Sequence, residues 1–214
     1  MKRLQRGVLI ALEGFDGSGK STLAKNVFAQ MQAEGWPILL TYEPGDTPIG
    51  GEIRRILQDN RKAMMPKTEF LLYSADRAQH IADVVKPALD RGMIVISDRM
   101  ADSSRAYQGY GRGLDPDVIE DVAAWVMNGI KPDLTLYLVL DVKTALERIY
   151  ARKEELTRIE SEKQVFFERV IGGFEKIFAG RSDVVRLDAR TDREILARQA
   201  FDAITDFLHA RGEI

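Results

Sequence analysis

The sequence contains a complete G-x-x-x-x-G-K-S string at residues 14–21, directly after the apolar run 8–12 and before a helix-compatible run at 22–33. This order predicts a strand, a glycine loop and a helix, in which backbone N–H groups and the helix N-terminus surround phosphate oxygens. Lys20 would reach the outer phosphates, and the Ser21 hydroxyl would face Mg²⁺. The string therefore predicts a nucleoside triphosphate site. The residues expected to bind the triphosphate are Gly14, Phe15, Asp16, Gly17, Ser18, Gly19, Lys20, Ser21 and Thr22.

Length and composition indicate one α/β domain, expected over residues 1–214, because the chain has 214 residues of which 45 % are hydrophobic. Its 31 Lys and Arg against 33 Asp and Glu give a net charge of −2, which argues against a nucleic-acid partner. The chain has no cysteine, which excludes disulfides and is typical of a reducing compartment. No apolar segment approaches the roughly 20 residues needed to span a bilayer. We therefore expect a cytoplasmic protein with no membrane partner.

Five short apolar runs are typical of buried parallel strands, with helical patterns between them. They lie at residues 8–12, 37–41, 93–97, 134–140 and 184–187. This alternation predicts a parallel sheet with helices on both faces. Asp115 followed by Pro116 predicts a helix start, and Asp141 is interpreted as a helix cap after the fourth strand. The densely charged segment 148–169 is interpreted as a solvated helix pair or a lid.

Polar residues follow the third strand, at the end where ligands bind in open α/β sheets. Asp98 could hold Mg²⁺ through water and Arg99 could clamp phosphate oxygens, although a strand-end salt bridge is the alternative. Tyr73 and Arg77 are four residues apart on a predicted helix, so they share a face that suits a nucleobase. The alternative there is a half-buried tyrosine beside a surface arginine. The stretch 103–111, taken alone, is more typical of a surface loop than of a binding element.

Together these segments resemble the thymidylate kinase family, the P-loop enzymes that phosphorylate dTMP to dTDP with ATP in dTTP synthesis. The resemblance implies a five-stranded parallel sheet in the order 2-3-1-4-5, a short helical lid at about 148–162, and a homodimer. It also implies ATP and dTMP as the nucleotide partners, with Mg²⁺ as the cofactor. The matching strings lie at residues 12–22, 43–45, 47–50, 72–80, 98–99, 103, 106–109, 158–160 and 166–170.

The resemblance also implies roles for five side chains around the acceptor. Asp16 would lie near the sugar 3′-hydroxyl and the acceptor phosphate. Tyr73 would take the place of a base-stacking Phe, and Arg77 would donate to the thymine carbonyl. Tyr107 would block a ribose 2′-hydroxyl, and Gln108 would lie near the base.

The family has one subtype with an Arg inside the phosphate loop and another with its catalytic Arg in the lid. This loop carries Gly17 and Ser18, so the lid is expected to supply the cation. Arg148, Arg152 and Arg158 are the candidates, and the latter two are favoured because they lie in the part predicted to move. The alternative for each is a solvated helix charge. The resulting catalytic set is Lys20, Arg99, which would clamp phosphate, Asp16, Arg152 and Arg158.

Five positions depart from the family pattern. Tyr42 and Asp46 replace an Arg and a Gly, and Met100 replaces an aromatic residue or His. Thr157 stands in place of an Asp, and Ile171 in place of an Arg. A carboxylate at Asp46 would repel an acceptor phosphate unless it were paired.

Two other functions stay open from the sequence. One is a kinase for another nucleoside monophosphate or for a deoxynucleoside. The other is a nucleotide-gated switch protein. Such a protein is expected to carry an Asn-Lys-x-Asp string that recognises guanine, and this sequence lacks one.

Overall fold

The structure is a computed structural model that describes residues 4–61, 63–153 and 155–213. The expected domain limits at residues 1 and 214, and Glu154 of the expected lid, lie outside the described residues. No helix in the described ranges combines the length and apolarity that a membrane crossing needs.

The five expected strands form one all-parallel sheet in the order β2-β3-β1-β4-β5. This confirms both the sheet and its 2-3-1-4-5 order. β1 is central, and all seven of its residues are buried, as expected for a strand covered on both faces. The strands are β1 Val8–Gly14, β2 Ile38–Tyr42, β3 Ile94–Asp98, β4 Leu134–Val139 and β5 Val184–Asp188.

Nine α-helices lie in the described ranges and surround the sheet. α3 continues through a π-helical turn, Ile81–Val85, into α4, and α5 continues into a π-helical segment, Arg105–Gly111. Asp115 and Asp141 cap α6 and α7 through backbone N–H groups, which confirms both predicted helix starts. The helices are α1 Lys20–Ala33, α2 Pro48–Gln58, α3 Pro66–His80, α4 Lys86–Asp90, α5 Ala101–Ser104, α6 Pro116–Met127, α7 Val142–Ala151, α8 Gln164–Phe178 and α9 Arg193–Ala210.

Alternate residues of β1 contribute to two hydrophobic cores, one on each face of the sheet. Ile10 and Leu12 pack into the larger core with residues of α1, α8 and α9. Leu9 and Ala11 pack into the smaller core with Ala88 and other residues. Because burial of each large aliphatic side chain contributes about 1.5–3 kcal/mol, these cores fix the strand ends that carry the site.

The stretch 103–111 is helical and largely buried, so the surface-loop interpretation is wrong. Tyr107 is 6 % exposed and Gln108 is 2 % exposed. A Cβ at Gly111 would lie 2.7 Å from the Phe166 ring of α8. Because Gly111 has no side chain, this segment packs closely on α8. The polar composition of the segment gives no indication of this tertiary contact.

The charged segment after β4 contains the end of α7, a set of turns and the start of α8. α7 ends at Ala151, the residues at 158–161 form turns, and α8 begins at Gln164. The expected lid therefore consists of the last turn of α7 and the turns that follow it.

Candidate active site

The phosphate loop, residues 14–21, approaches backbone from neighbouring elements closely enough to require glycine at two positions. Gly14 and Gly17 both have positive φ, at 146° and 78°. A Cβ at Gly14 would lie 2.7 Å from the Leu138 carbonyl oxygen, and one at Gly17 would lie 2.8 Å from that of Ala145. α1 begins at Lys20, so its N-terminal N–H groups face the loop and form an anion site.

Lys20 is buried beneath the loop, where its Nζ donates to the Phe15 carbonyl oxygen at 2.9 Å. Burial and the nearby Arg99 guanidinium lower the pKa of Lys20 to about 8, although Asp16 and Asp98 oppose them. An anionic ligand in the cleft would favour the charged form of this ammonium group.

Ser21 and Asp98 are brought together, because the Ser21 hydroxyl donates to Asp98 Oδ2. The other carboxylate oxygen, Oδ1, is buried and has no hydrogen-bond partner among the described residues. The described residues contain no group of three or more His, Cys, Asp or Glu suited to a metal ion. One hydroxyl and one unpaired carboxylate oxygen still fit Mg²⁺, which keeps several waters and takes its other ligands from substrate phosphates.

Arg99 joins the phosphate loop to the segment after β3. Its backbone has φ 82°, a left-handed conformation that is costly for a side-chain-bearing residue. The guanidinium donates to the Gly14 carbonyl oxygen at 3.2 Å, to Ser103 Oγ at 3.0 Å and to Asp16 Oδ1 at 2.5 Å. The Tyr107 hydroxyl donates to Asp16 Oδ2 at 2.8 Å. Three predicted site residues, Asp16, Arg99 and Tyr107, therefore form one cluster.

The charges in this cluster stabilise each other. Burial alone would raise the pKa of Asp16, but Arg99 and Lys20 lower it below its usual value. Asp16 is therefore ionised, and its carboxylate restrains the Arg99 guanidinium at the cleft wall.

Glu13 is a buried carboxyl group that sequence reasoning missed. It accepts from the Met100 N–H at 2.8 Å, the Ser103 N–H at 3.3 Å and the Ser103 hydroxyl at 2.6 Å. Burial and the charge of Asp102 raise its pKa to about 7. Glu13 thus holds the turn that carries Arg99. A single carboxylate within an otherwise apolar strand was the available signal.

The opposite side of the cleft is built on α3. Arg77 is 3 % exposed, so it is a buried residue and not a surface arginine. Its Nε donates to Glu43 Oε2 at 2.7 Å, Nη1 to Ser104 Oγ at 2.9 Å and Nη2 to the Met100 carbonyl oxygen at 3.0 Å. Tyr73 lies one turn earlier and is half-buried, and burial raises the pKa of its hydroxyl to about 12.

One cavity of about 850 Å³ brings the predicted residues together at the carboxyl ends of β1 and β3. The phosphate loop lies on one side and α3 on the other. The predicted residues that line it are Asp16, Gly17, Gly19, Lys20, Ser21, Thr22, Tyr73, Arg77, Asp98, Arg99, Tyr107, Gln108, Arg148 and Arg152. Gln108 also donates to Glu69 Oε1 at 2.7 Å.

The three arginines after β4 lie in different places. Arg148 donates to the Gly17 carbonyl oxygen at 3.4 Å, and Arg152 pairs with Glu160. Arg158 is not among the residues that line the cavity, and its Nη2 lies 2.5 Å from Glu69 Oε2 in a buried ion pair. Of the two favoured arginines, only Arg152 therefore lies at the cleft in this structure.

The carboxylate of Asp46 is hydrogen-bonded, since Asp46 Oδ2 accepts from the Thr41 hydroxyl, which leaves its negative charge in place. Thr157, another departure from the family pattern, donates to Glu160 Oε2 from its N–H and its hydroxyl, each at 3.0 Å. It thereby helps to hold the same glutamate that pairs with Arg152.

The strand–loop–helix unit and the cleft at the strand ends define a P-loop kinase fold. A sequence model of the thymidylate kinase family matches residues 12–200. The chain belongs to the thymidylate kinase family.

Named relatives cover nearly the whole chain. A thymidylate kinase of Halothermothrix orenii is 45 % identical over 201 residues, 93 % of this chain and 97 % of that protein. One from an Exiguobacterium species is 40 % identical over 208 residues, 96 % of this chain and 98 % of that protein. One from Clavibacter sepedonicus is 42 % identical over 194 residues, 90 % and 92 % of the two chains.

Proposed function

We propose that this protein transfers the γ-phosphoryl group of ATP to dTMP and so forms dTDP. The observation that carries the proposal is the single cleft in which Lys20 and the phosphate loop face Tyr73 and Arg77 of α3. One side suits the phosphates of a donor, and the other offers an aromatic ring and a guanidinium to a pyrimidine. Membership of the thymidylate kinase family supports the same reaction.

In this proposal the donor phosphates bind to the N–H groups of the phosphate loop and to Lys20. Ser21 and Asp98 are the residues that would hold Mg²⁺, Asp98 through water. When bound, the ion neutralises charge on the phosphate oxygens. Lys20 keeps its charge because the anionic phosphates offset the effect of its burial.

The acceptor phosphate needs no strong base, because it is already largely ionised at neutral pH. Positioning and charge neutralisation therefore carry the catalysis. Arg99 lies between the loop and the acceptor side, so its guanidinium can clamp an acceptor phosphate while Asp16 restrains it. Asp16 and Tyr107 would contact the sugar.

On the acceptor side, Tyr73 would stack on the thymine ring and Arg77 would donate to its carbonyl. Arg77 has five N–H hydrogens, and three protein acceptors leave some of them available. Gln108 borders the same cavity and would lie near the base.

Positive charge for the transferring phosphoryl group would come from Arg152, supported by Arg148 beside the phosphate loop. Arg158 would act from a different place, through its ion pair with Glu69. Closure of the segment 148–162 over the nucleotides would also keep water from the γ-phosphoryl group.

We further propose that the chain is one domain, that it is cytoplasmic and that it forms a homodimer. One sheet carries both sides of the cleft, and the lack of cysteine fits a reducing compartment. The packed pair of helices α3 and α6 exposes Leu71, Val118 and Trp125, the last with 83 % of its surface accessible. An apolar surface of this kind suits a second copy of the chain, which sedimentation equilibrium would detect.

An acceptor panel tests the reaction, with ATP and GTP as donors. We expect dTMP to be the preferred acceptor and dUMP to be used less well. A 5-methyl group is worth only about 1–3 kcal/mol in an apolar pocket, so some dUMP activity remains. Phosphorylation of thymidine but not of dTMP would refute the proposal. ATP hydrolysis that needs a macromolecule and no acceptor would support a switch protein instead.

A further inference from the structure

A line of buried polar contacts runs from the loop after β2 to Arg77. Asp46 Oδ2 accepts from Thr41 Oγ1, which lies 2.6 Å from His80 Nε2. His80 Nδ1 lies 2.8 Å from Glu43 Oε1, and Glu43 Oε2 accepts from Arg77 Nε at 2.7 Å. Apart from Asp46, which is partly exposed, all of these side chains are buried.

The hydrogens in this line can be counted. A threonine hydroxyl has one hydrogen, and the Thr41 hydrogen is donated to Asp46. At 2.6 Å from His80 Nε2, the Thr41 oxygen can then only accept, so Nε2 must carry a hydrogen. Glu43 Oε1 is an ionised carboxylate oxygen that can only accept from His80 Nδ1, so Nδ1 carries a hydrogen as well. A ring that donates from both nitrogens is an imidazolium.

The charges around the ring fit this assignment. Glu43 is ionised, because Arg77 and the His80 contact lower its pKa despite burial. Asp76 also faces the cluster, and burial together with the Glu43 charge raises the pKa of Asp76 to about 6. At about pH 7.5 the Glu43, Asp46 and Asp76 carboxylates outnumber the Arg77 guanidinium, and a proton on His80 offsets part of this excess negative charge. Buried charge is less costly the more completely it is paired, so the surroundings favour the imidazolium.

We propose that Asp46 and Thr41 keep His80 doubly protonated, and that the His80–Glu43 ion pair makes His80 a positioning residue for Arg77. Glu43 is held on one side by His80 and on the other by Arg77, so the imidazolium fixes where the guanidinium meets the cleft. The carboxylate at position 46 is therefore the acceptor on which this protonation depends. With Gly there, the Thr41 hydroxyl would be free to donate to Nε2, and the ring would be neutral.

Nitrogen NMR tests the protonation directly. The sequence has two histidines, His80 and His209, so a ¹⁵N-histidine-labelled full chain gives two ring systems. His209→Gln leaves only the His80 signals. At about pH 7.5 we expect both His80 nitrogens to show protonated-type shifts in this background, and one to become unprotonated in Asp46→Ala and Thr41→Val. An unprotonated His80 nitrogen without those substitutions would overturn the proposal.

Steady-state kinetics tests the positioning role, which rests on the proposed function for the identity of the acceptor. We expect Asp46→Ala to raise KM for dTMP about tenfold with little change in kcat, as when one charge-assisted contact loses its geometry. Asp83→Ala removes an exposed carboxylate outside the line and is the matched control, expected to match the unsubstituted protein. Thr41→Val keeps the side-chain volume and should reproduce the KM effect.

The outcomes separate the two proposals. A change in His80 protonation without a change in KM would overturn the positioning role. If the unsubstituted protein fails to phosphorylate dTMP, the proposed function is wrong, while the NMR result still decides the state of His80.

Discussion

The two sides of the cleft are built in different ways. The proposed donor side is one contiguous stretch, the phosphate loop with the start of α1, and the groups it would offer to phosphate are backbone N–H groups and Lys20. The acceptor side combines α3, the loop after β2 and the segment 101–111, joined by buried ion pairs such as Arg77 with Glu43. Local backbone geometry therefore determines the first side, and long-range pairing of charges determines the second.

The largest expected effect concerns Arg99, which contacts both sides. We expect Arg99→Ala to lower kcat by about 10³–10⁵-fold, the range known for arginines that neutralise a transferring phosphoryl group. Lys20→Ala should be similarly severe on the donor side. Coupled-assay kinetics measures both, with circular dichroism as the check on folding. Arg91→Ala, at an exposed arginine, is the control, and near-normal turnover of Arg99→Ala would contradict the assigned role.

Glu13 lies where the two sides meet, and its effect is on stability. Its pKa is raised from 4.5 to about 7, so the folded state holds a proton that the unfolded state releases above about pH 4.5. This contribution to folding is present at low pH and is lost as the pH rises through 7. Between about pH 4.5 and pH 7, the free energy of unfolding of the unsubstituted protein should fall by up to about 3 kcal/mol relative to that of Glu13→Gln. Urea unfolding across the pH range measures it, and parallel curves for the two proteins would refute it.

Substitutions of the two lid arginines should affect different kinetic constants, one for each side of the cleft. We expect Arg152→Ala to lower kcat about tenfold, because it removes one charged contact while Lys20, Arg99 and Arg148 remain. Arg158→Ala should act mainly on KM for dTMP, through Glu69 and its contact with Gln108. Parallel kcat and KM measurements on both variants test the division. A larger kcat loss in Arg158→Ala than in Arg152→Ala would reverse it.

The smallest expected effect is at Tyr73. Tyr73→Phe keeps the ring that would stack on the base and removes only the hydroxyl. We expect kcat/KM for dTMP to change by less than about threefold, well below the 1–3 kcal/mol that loss of stacking costs. Measured kinetics with dTMP as acceptor decide this. A tenfold loss would mean that the hydroxyl itself contacts the acceptor.

The sequence predicted the sheet and the phosphate loop well, because both follow from local patterns. A glycine spacing specifies a backbone conformation, and an apolar run specifies a buried strand. The partners on the acceptor side could not be predicted in this way. Glu43 and Arg77 are 34 residues apart, and only the packing of α3 against the loop after β2 brings them together.

Two errors of interpretation have the same physical origin. Taken alone, the residues at 103–111 indicate a surface loop, yet α8 covers this segment and Gly111 fits against Phe166. The role of Glu13 does not follow from the sequence, because its partners, the Met100 and Ser103 N–H groups, lie about 90 residues away in the chain. In both cases residues far away in the chain decide the environment.

The contact between Gly17 and the Ala145 carbonyl oxygen of α7 restricts how this chain can evolve. A side chain at position 17 would force α7 outward and would also require a left-handed backbone, so an arginine cannot replace Gly17 unless α7 shifts. The proposed neutralising charge, on Arg152, lies instead on a segment separate from the phosphate loop. A descendant of this protein with an arginine at position 17 would therefore need a change in the position of α7 as well.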